Sequence, residues 1–161
     1  MRNKIAEIME KVGMIEGLEG QDLRGQDWSK ADLSKTSLVE TSLIKAKLVK
    51  TNFYEADLRN ADLSFADARE ADFEEADCSG VDFTETDLRR ANFTDADLRN
   101  AVLIDADLRG ADLRGADLRG ADLHSGAFNN LEGAIYNART KWPDLDPDIN
   151  ERIETTMEWV R

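Results

Sequence analysis

A single cysteine, a single histidine and no long apolar run set the first bounds on this 161-residue chain. Cys78 has no second thiol to bond with, so an internal disulfide is excluded, which fits a reducing compartment. No stretch approaches the ~18–20 apolar residues of a membrane helix, so no membrane association is expected. Met1–Ile15 lacks an apolar run and carries Glu7 and Glu10, which makes it a poor signal peptide. The expected location is the cytoplasm. Positive charge is also short: 21 Lys and Arg stand against 34 Asp and Glu, giving a net charge of −13 and a pI near 4.5. That balance argues against direct binding of nucleic acid through phosphates. No glycine-rich phosphate loop occurs, because the glycines fall at one fixed phase of a repeat. No cofactor is expected.

What the chain does have is a five-residue period from Glu16 to Asn130. Its clearest copies are Ala-Asp-Leu-Arg-Gly at Ala106–Gly110, Ala111–Gly115 and Ala116–Gly120. A bulky centre recurs in steps of five from Leu18, Leu23, Trp28 and Leu33 to Leu118, Leu123 and Phe128, which is 23 units. Two residues before the centre stands Ala in most units, or Thr36, Thr41, Thr51, Val81 and Thr86. One residue before it stands Asp in fifteen of the 23 units, or Asn52 and Asn92. The period is neither 3.6 nor 2, so it fits neither a helix nor a flat strand. It fits a chain that turns after each short extended piece. One unit cannot bury its own Leu; stacked coils about 4.8 Å apart can.

Gly20, Gly25, Gly80, Gly110, Gly115 and Gly120, with Asn60, Asn100 and Asn130, close their units. These residues tolerate the positive φ of a type II turn. Where Lys45, Glu75 or Arg90 stands there instead, a different turn type is expected.

These residues resemble the pentapeptide-repeat family, whose motif is A-(D/N)-L-x-x, over residues 16–130. The resemblance implies an all-β solenoid: a right-handed quadrilateral β-helix with four units per coil, hence nearly six coils about 28 Å long. It also divides the centres into four columns. One holds Leu33, Phe53, Phe73, Phe93 and Leu113; another Trp28, Leu48, Ala68, Leu88, Leu108 and Phe128. A third holds Leu18, Leu38, Leu58, Cys78, Leu98 and Leu118, and the fourth runs from Leu23 through Phe83 to Leu123. The ring of Phe73 is expected to fill space left by Ala68 and Cys78 in its own coil.

The ends are expected to be helical caps. In residues 1–15, Ile5, Ile8, Met9 and Val12 follow i, i+3, i+4, i+7 spacing, with Gly13 as a stop. Such a helix would cover the first coil's open edge. In residues 131–161, Leu131 and Tyr136 suggest a distorted last coil. The run from Gly133 to Pro143 resembles tails of cyanobacterial members. Asp146-Pro147 reads as a helix start, and Ile149, Ile153, Met157 and Val160 form one stripe with Trp159 at its flank. That helix folds over the last coil or makes a homodimer, as it does in gyrase-inhibiting members.

Outward residues carry the functional candidates. Face by face, the Phe-bearing column sums to −5, the Leu23 column to −4, the Leu18 column to −3 and the Trp28 column to +2. The acidic candidates are Asp72, Glu74, Glu75 and Asp95. The basic ones are Arg69, Arg89 and Arg109, for which pairing with Asp67, Asp87 and Asp107 competes with partner binding. Val39, Ile44, Val49, Tyr54, Phe65 and Ile104 are outward and apolar, and Ile44 with Phe65 makes a candidate partner patch.

No catalytic constellation is present. His124 points outward and Cys78 inward on different columns, which rules out a dyad. The stacked carboxylates of Asp62 and Asp82, or of Asp57, Asp77 and Asp97, gather too few ligands for a metal site to be expected. The reading is a non-catalytic module that binds an unidentified protein partner. The alternative, which the resemblance implies, is an acidic mimic of DNA that binds DNA gyrase or topoisomerase.

Overall fold

The computed structural model describes residues 18–125, 135–136, 139–141 and 158–159. Its first 108 residues form one uninterrupted solenoid. Single-residue parallel bridges join each residue before a centre to its counterpart 20 positions on. They run as an unbroken series of seventeen from Asp22↔Ser42 to Val102↔Asp122. Four five-residue units therefore complete each coil, and Leu18–Ser125 covers a little more than five coils.

The unit works because each of its five N–H groups has its own acceptor. In the unit Ala56–Asn60, the Ala56 N–H closes the preceding turn on the Phe53 carbonyl at 2.9 Å. Asp57 donates back to Thr36 of the previous coil. Leu58 and Asn60 donate forward to Asp77 and Ser79 of the next. Only the Arg59 N–H is reached by neither ladder nor turn, and the Asp57 carboxylate accepts it at 3.2 Å. The same contact recurs at Asp22, Asp77, Asp97 and Asp117, and through the side-chain carbonyls of Asn52 and Asn92. The Asp of the motif is thus a backbone acceptor, beyond any role in solubility.

Every unit turns in the same way. The second residue after the centre has a positive φ at all 22 described positions, sixteen of them not glycine, with φ between 53° and 63°. This corrects the expectation for Lys45, Glu75 and Arg90, which share the left-handed conformation at 57°, 57° and 61°. The cause is the ladder. The N–H of each such residue must point along the rod axis to the next coil, as Lys45 does to Ser64 at 3.0 Å. The strain of about 1–2 kcal/mol for an L-residue is outweighed by that fixed stack. Glu85→Gly should therefore raise stability. Relief of that strain exceeds the roughly 0.5–1 kcal/mol of added unfolded-state entropy. Urea unfolding checks it, with a higher midpoint expected.

The interior is made of the four expected columns, and the centres from Leu38 to Leu123 are fully buried. Phe53, Phe73 and Phe93 stack with centroids 4.9 and 4.7 Å apart and planes within 7°. From the opposite column, Phe83 meets Phe73 and Phe93 edge-on at 5.7 Å. Ala68 and Cys78, in the coil of Phe73, are the small residues that accompany these rings. Three of the Thr residues that replace the motif's Ala are buried with the hydroxyl donating to a centre carbonyl of the coil before: Thr41 to Leu18, Thr51 to Trp28 and Thr86 to Leu63.

The tail extends the stack with altered spacing. Ile135 bridges Asp117 and Lys141 bridges Asp122, 18 and 19 residues on instead of 20. Thr140 reproduces the buried threonine contact by donating to the Leu118 carbonyl at 2.8 Å. Strand β1, Ile135–Tyr136, then pairs in parallel with β2, Glu158–Trp159, as Ile135↔Glu158 and Tyr136↔Trp159. Trp159, expected at the flank of a helical stripe, therefore lies in a strand. The edge of β1 offers hydrogen-bonding groups that a strand satisfies and a helix cannot. Ile149, Ile153, Met157 and Val160 lie outside the described residues, as do the expected N-terminal cap at 1–15 and the last unit, 126–130.

Candidate functional site

Because the centres are buried in a closely packed interior, the chemistry available to a partner lies on the faces. Stacking coils about 4.8 Å apart places one carboxylate above the next. The chain manages that repulsion in two ways. On the Phe-bearing face Asp and Asn alternate: Asp32, Asn52, Asp72, Asn92, Asp112. Each Asn amide donates to the Asp of the coil before, at 3.0 Å for both Asn52→Asp32 and Asn92→Asp72. On the Leu18 and Trp28 faces Asp is continuous from Asp57 to Asp117 and from Asp67 to Asp107, and arginine is interleaved. Arg59 holds Asp57 through two bonds of 2.8 and 2.7 Å and also lies 3.9 Å from Asp77.

The candidate residues Arg69, Arg89 and Arg109 follow this second scheme. Each clasps the Asp two residues before it through Nε and Nη2 at 2.6–2.8 Å. Arg69 and Arg89 also reach the next coil's Asp at 3.6 Å. With Glu70 and Arg90 they line an open groove of about 440 Å³. Glu70, which charge counting had not singled out, is paired with Lys50 at 3.2 Å. The signal in the sequence was the 20-residue series Lys50, Glu70, Arg90.

Hydrogen bonds from the arginine two residues on, Arg59, Arg69, Arg109 and Arg114, hold the carboxyls of Asp57, Asp67, Asp107 and Asp112 below the usual range, against the opposing effect of burial. Arg24 brings Asp22 down to about 2. A depressed folded-state pKa contributes stability above the unfolded value near 4, and that contribution is lost as pH falls through the folded value. Unfolding free energy from urea titration should be nearly flat between about pH 5 and 8 and fall as the pH drops from about 4 toward 2.

Asp72, Glu74, Glu75 and Asp95 come together at one corner. Asn92 donates to both Asp72 and Glu74, at 3.0 and 2.9 Å. Among the described residues none of these four acids has a cationic partner within ion-pair distance. Tyr54 reports the local field: its phenol is pushed up to about 12 by the hydrogen bond to Glu55 and the charges of Glu75 and Glu74.

The candidate patch of Ile44 and Phe65 divides. Phe65 is 48% exposed, with the Lys45 ammonium 5.8 Å from its ring centre. Ile44 is half-buried and has a structural explanation. Among the described units from Leu23 to Leu123, four lack Asp or Asn before the centre, at Ser37, Ser42, Lys47 and Val102. These are the units whose first turn residue is β-branched and aliphatic: Val39, Ile44, Val49 and Ile104. Where no side chain accepts the turn N–H, a residue stiff in extended conformation holds the turn's entry.

Comparison with known proteins adds the following. A family model for pentapeptide repeats, in eight copies, matches residues 18–53, 51–90 and 91–129. No curated protein sequence matches the chain. Among solved structures, HetL of Nostoc sp. strain PCC 7120, a pentapeptide repeat protein involved in heterocyst differentiation regulation, is 34% identical. The match covers 76% of this chain but only 64% of HetL, with a TM-score of 0.35. The pentapeptide repeat protein alr5209 of Nostoc PCC 7120 is 25% identical over 97% of this chain and 93% of its own, with a TM-score of 0.42. QnrB1, a plasmid-mediated fluoroquinolone resistance protein, is 22% identical over 91% and 86%, with a TM-score of 0.47. At these TM-scores the likenesses decide nothing about faces or partners.

Proposed function

Since the chain belongs to the pentapeptide-repeat family, we propose that it is a non-catalytic interaction module, a rigid right-handed rod whose faces present side chains at fixed spacing to a protein partner. The observation that carries this reading is the unbroken 20-residue register from Asp22 to Asp122. It fixes outward groups in straight rows and leaves the interior to packing alone. Cys78, the one described thiol, is wholly buried, and burial pushes its pKa up, away from reactivity. A rod with pre-set spacing loses little freedom on binding, which favours association.

The test is affinity capture from a lysate of the organism that carries the gene, with light scattering on the isolated protein. A discrete, saturable protein partner is expected. Retention of nothing beyond what a rod of consensus repeats retains would overturn the reading. Light scattering also decides the homodimer assigned to the C-terminal stripe.

A second reading is favoured by Asp72, Glu74, Glu75 and Asp95, which have no cationic partner among the described residues: a mimic of DNA directed at DNA gyrase or topoisomerase. The interleaved arginines of two other faces count against it, because they neutralise the rows that would have to imitate phosphates. Gyrase supercoiling with added protein separates the two. Neither inhibition nor protection from a quinolone is expected.

A further inference from the structure

The groove on the Trp28 face is the exception on an acidic rod, and its cations are unusually well placed. Arg69, Arg89 and Arg109 follow one another at the pitch of the coil, about 4.8 Å. Each is clamped by its own Asp through Nε–H and one Nη2–H, which leaves three of the five guanidinium N–H groups for another acceptor. Arg90 lies beside them on the groove wall, its side chain running over Gly110, where an added Cβ would come within 3.4 Å of its Cγ. Among the described residues the Arg90 guanidinium has no hydrogen-bond or ion-pair partner. Glu70, the one acid among the described residues that line the groove, is engaged by Lys50.

We propose that this groove seats an acidic stripe on an α-helix of the partner protein, with carboxylates at i, i+3 or i+4, and i+7 facing Arg69, Arg89 and Arg109, and Arg90 taking a further one. The spacing selects the helix. Steps of three to four residues at 1.5 Å rise advance about 5.3 Å, so two steps differ from two coils by roughly 1 Å, within side-chain reach. Alternate residues of an extended strand advance about 6.7 Å and are out of step by almost 4 Å over the same length. A nucleic-acid backbone would bring many phosphates toward a protein of net charge −13, whereas three or four carboxylates suit a groove with a small positive excess. Clamping by Asp67, Asp87 and Asp107 holds the guanidinium forks in place before the partner arrives, which lowers the entropy cost of binding.

This proposal rests on the reading of the rod as a protein-binding module, and its test is separable from that one. The full chain is titrated into a fluorescently labelled helical peptide that carries Glu at i, i+4 and i+7 on one face. The controls are a peptide of the same composition with its Glu scattered around the helix, and a short DNA duplex. The striped peptide is expected to bind with an affinity that falls with salt. The scattered peptide, and Arg90→Glu against the striped one, should each bind at least about tenfold more weakly, a loss of about 1.4 kcal/mol. The thermal midpoint of Arg90→Glu should be unchanged, because among the described residues the Arg90 guanidinium has no hydrogen-bond or ion-pair partner to lose. Equal binding of striped and scattered peptides, no effect of Arg90→Glu, or preferential binding of the duplex would overturn the proposal. In the capture experiment, a partner kept equally by the wild type and by Arg90→Glu would overturn the groove while leaving the interaction reading intact.

Discussion

Replacing Phe73 by alanine should lower the free energy of unfolding by about 3–5 kcal/mol, the range for deleting a fully buried aromatic ring. Phe73 is the middle of three stacked rings, 4.9 Å from Phe53 and 4.7 Å from Phe93, and it meets the edge of Phe83 at 5.7 Å. Its loss removes three ring contacts at once, where the loss of Phe53 removes one. The neighbours cannot close the gap. Ala68 and Cys78 in the same coil are already small, and the backbone is pinned by bonds to the coils on both sides. The upper end of the range is therefore expected. A solenoid adds a second consequence, because each coil is stabilised mainly by its neighbours. A hole in the coil of Phe73 weakens the coupling between the coils before it and after it. Urea unfolding followed by circular dichroism should show a lower midpoint and a shallower transition. Phe73→Leu, which keeps most of the volume, should recover much of the loss. A cost for Phe73→Ala below about 1 kcal/mol would mean the stack is not packed as described.

The part of this fold legible in the sequence was the part set by burial. The phase of the centres gave the inward residues, and the columns built on a 20-residue coil are those the bridges join. The period of five could not give the number of units per coil, because any whole number keeps every Leu inside. Turn geometry is not legible for a related reason. Lys45, Glu75 and Arg90 do not by themselves favour a positive φ, and the ladder that overrides their preference exists only once the coils are stacked. The acceptor role of Asp was hidden until the other four N–H groups of a unit had been assigned, since only then does the fifth stand without one. The same accounting changes the surface reading. Val39, Ile44, Val49 and Ile104 lie where that acceptor is missing, so their outward apolar side chains follow from backbone needs. Phe65 has no such explanation, because its turn position is served elsewhere by Gly25, Lys45 and Glu85 alike. In the tail, pattern competed with pairing. The stripe of Ile149, Ile153, Met157 and Val160, with Trp159 at its flank, has helical spacing, but at Glu158–Trp159 the edge of β1 supplies backbone partners that an isolated helix end at that place would leave unused.

Leu98→Asp should cost more than about 4–5 kcal/mol and unfold the rod from its C-terminal side. Leu98 is fully buried in the column of Leu58, Cys78 and Leu118, with no polar side chain directed inward beside it. A carboxylate there would lose the apolar contacts of Leu and have nothing to replace its hydration. The native chain already shows how the interior treats negative charge. The Cys78 thiol, one coil away in the same column, is pushed well above its ordinary pKa by burial first, then by the outward charges of Asp77, Asp97 and Asp57. Asp97 and Asp117 flank the Leu98 level in the same way, so a new carboxyl would be held protonated and would still lack partners. The coils before Leu98 rest on Phe53, Phe73 and Phe93 and gain little from those after it, so the damage should be uneven. Hydrogen exchange should show protection retained through the coil of Phe53 and lost from the coil of Leu98 onward. Leu98→Met, of similar volume, should stay within about 1.5 kcal/mol of the wild type. If Leu98→Asp kept exchange protection in the coils that follow, position 98 would have to face water. The inward column would then be wrong, and with it the assignment of every outward residue on which the interaction reading and the arginine groove depend.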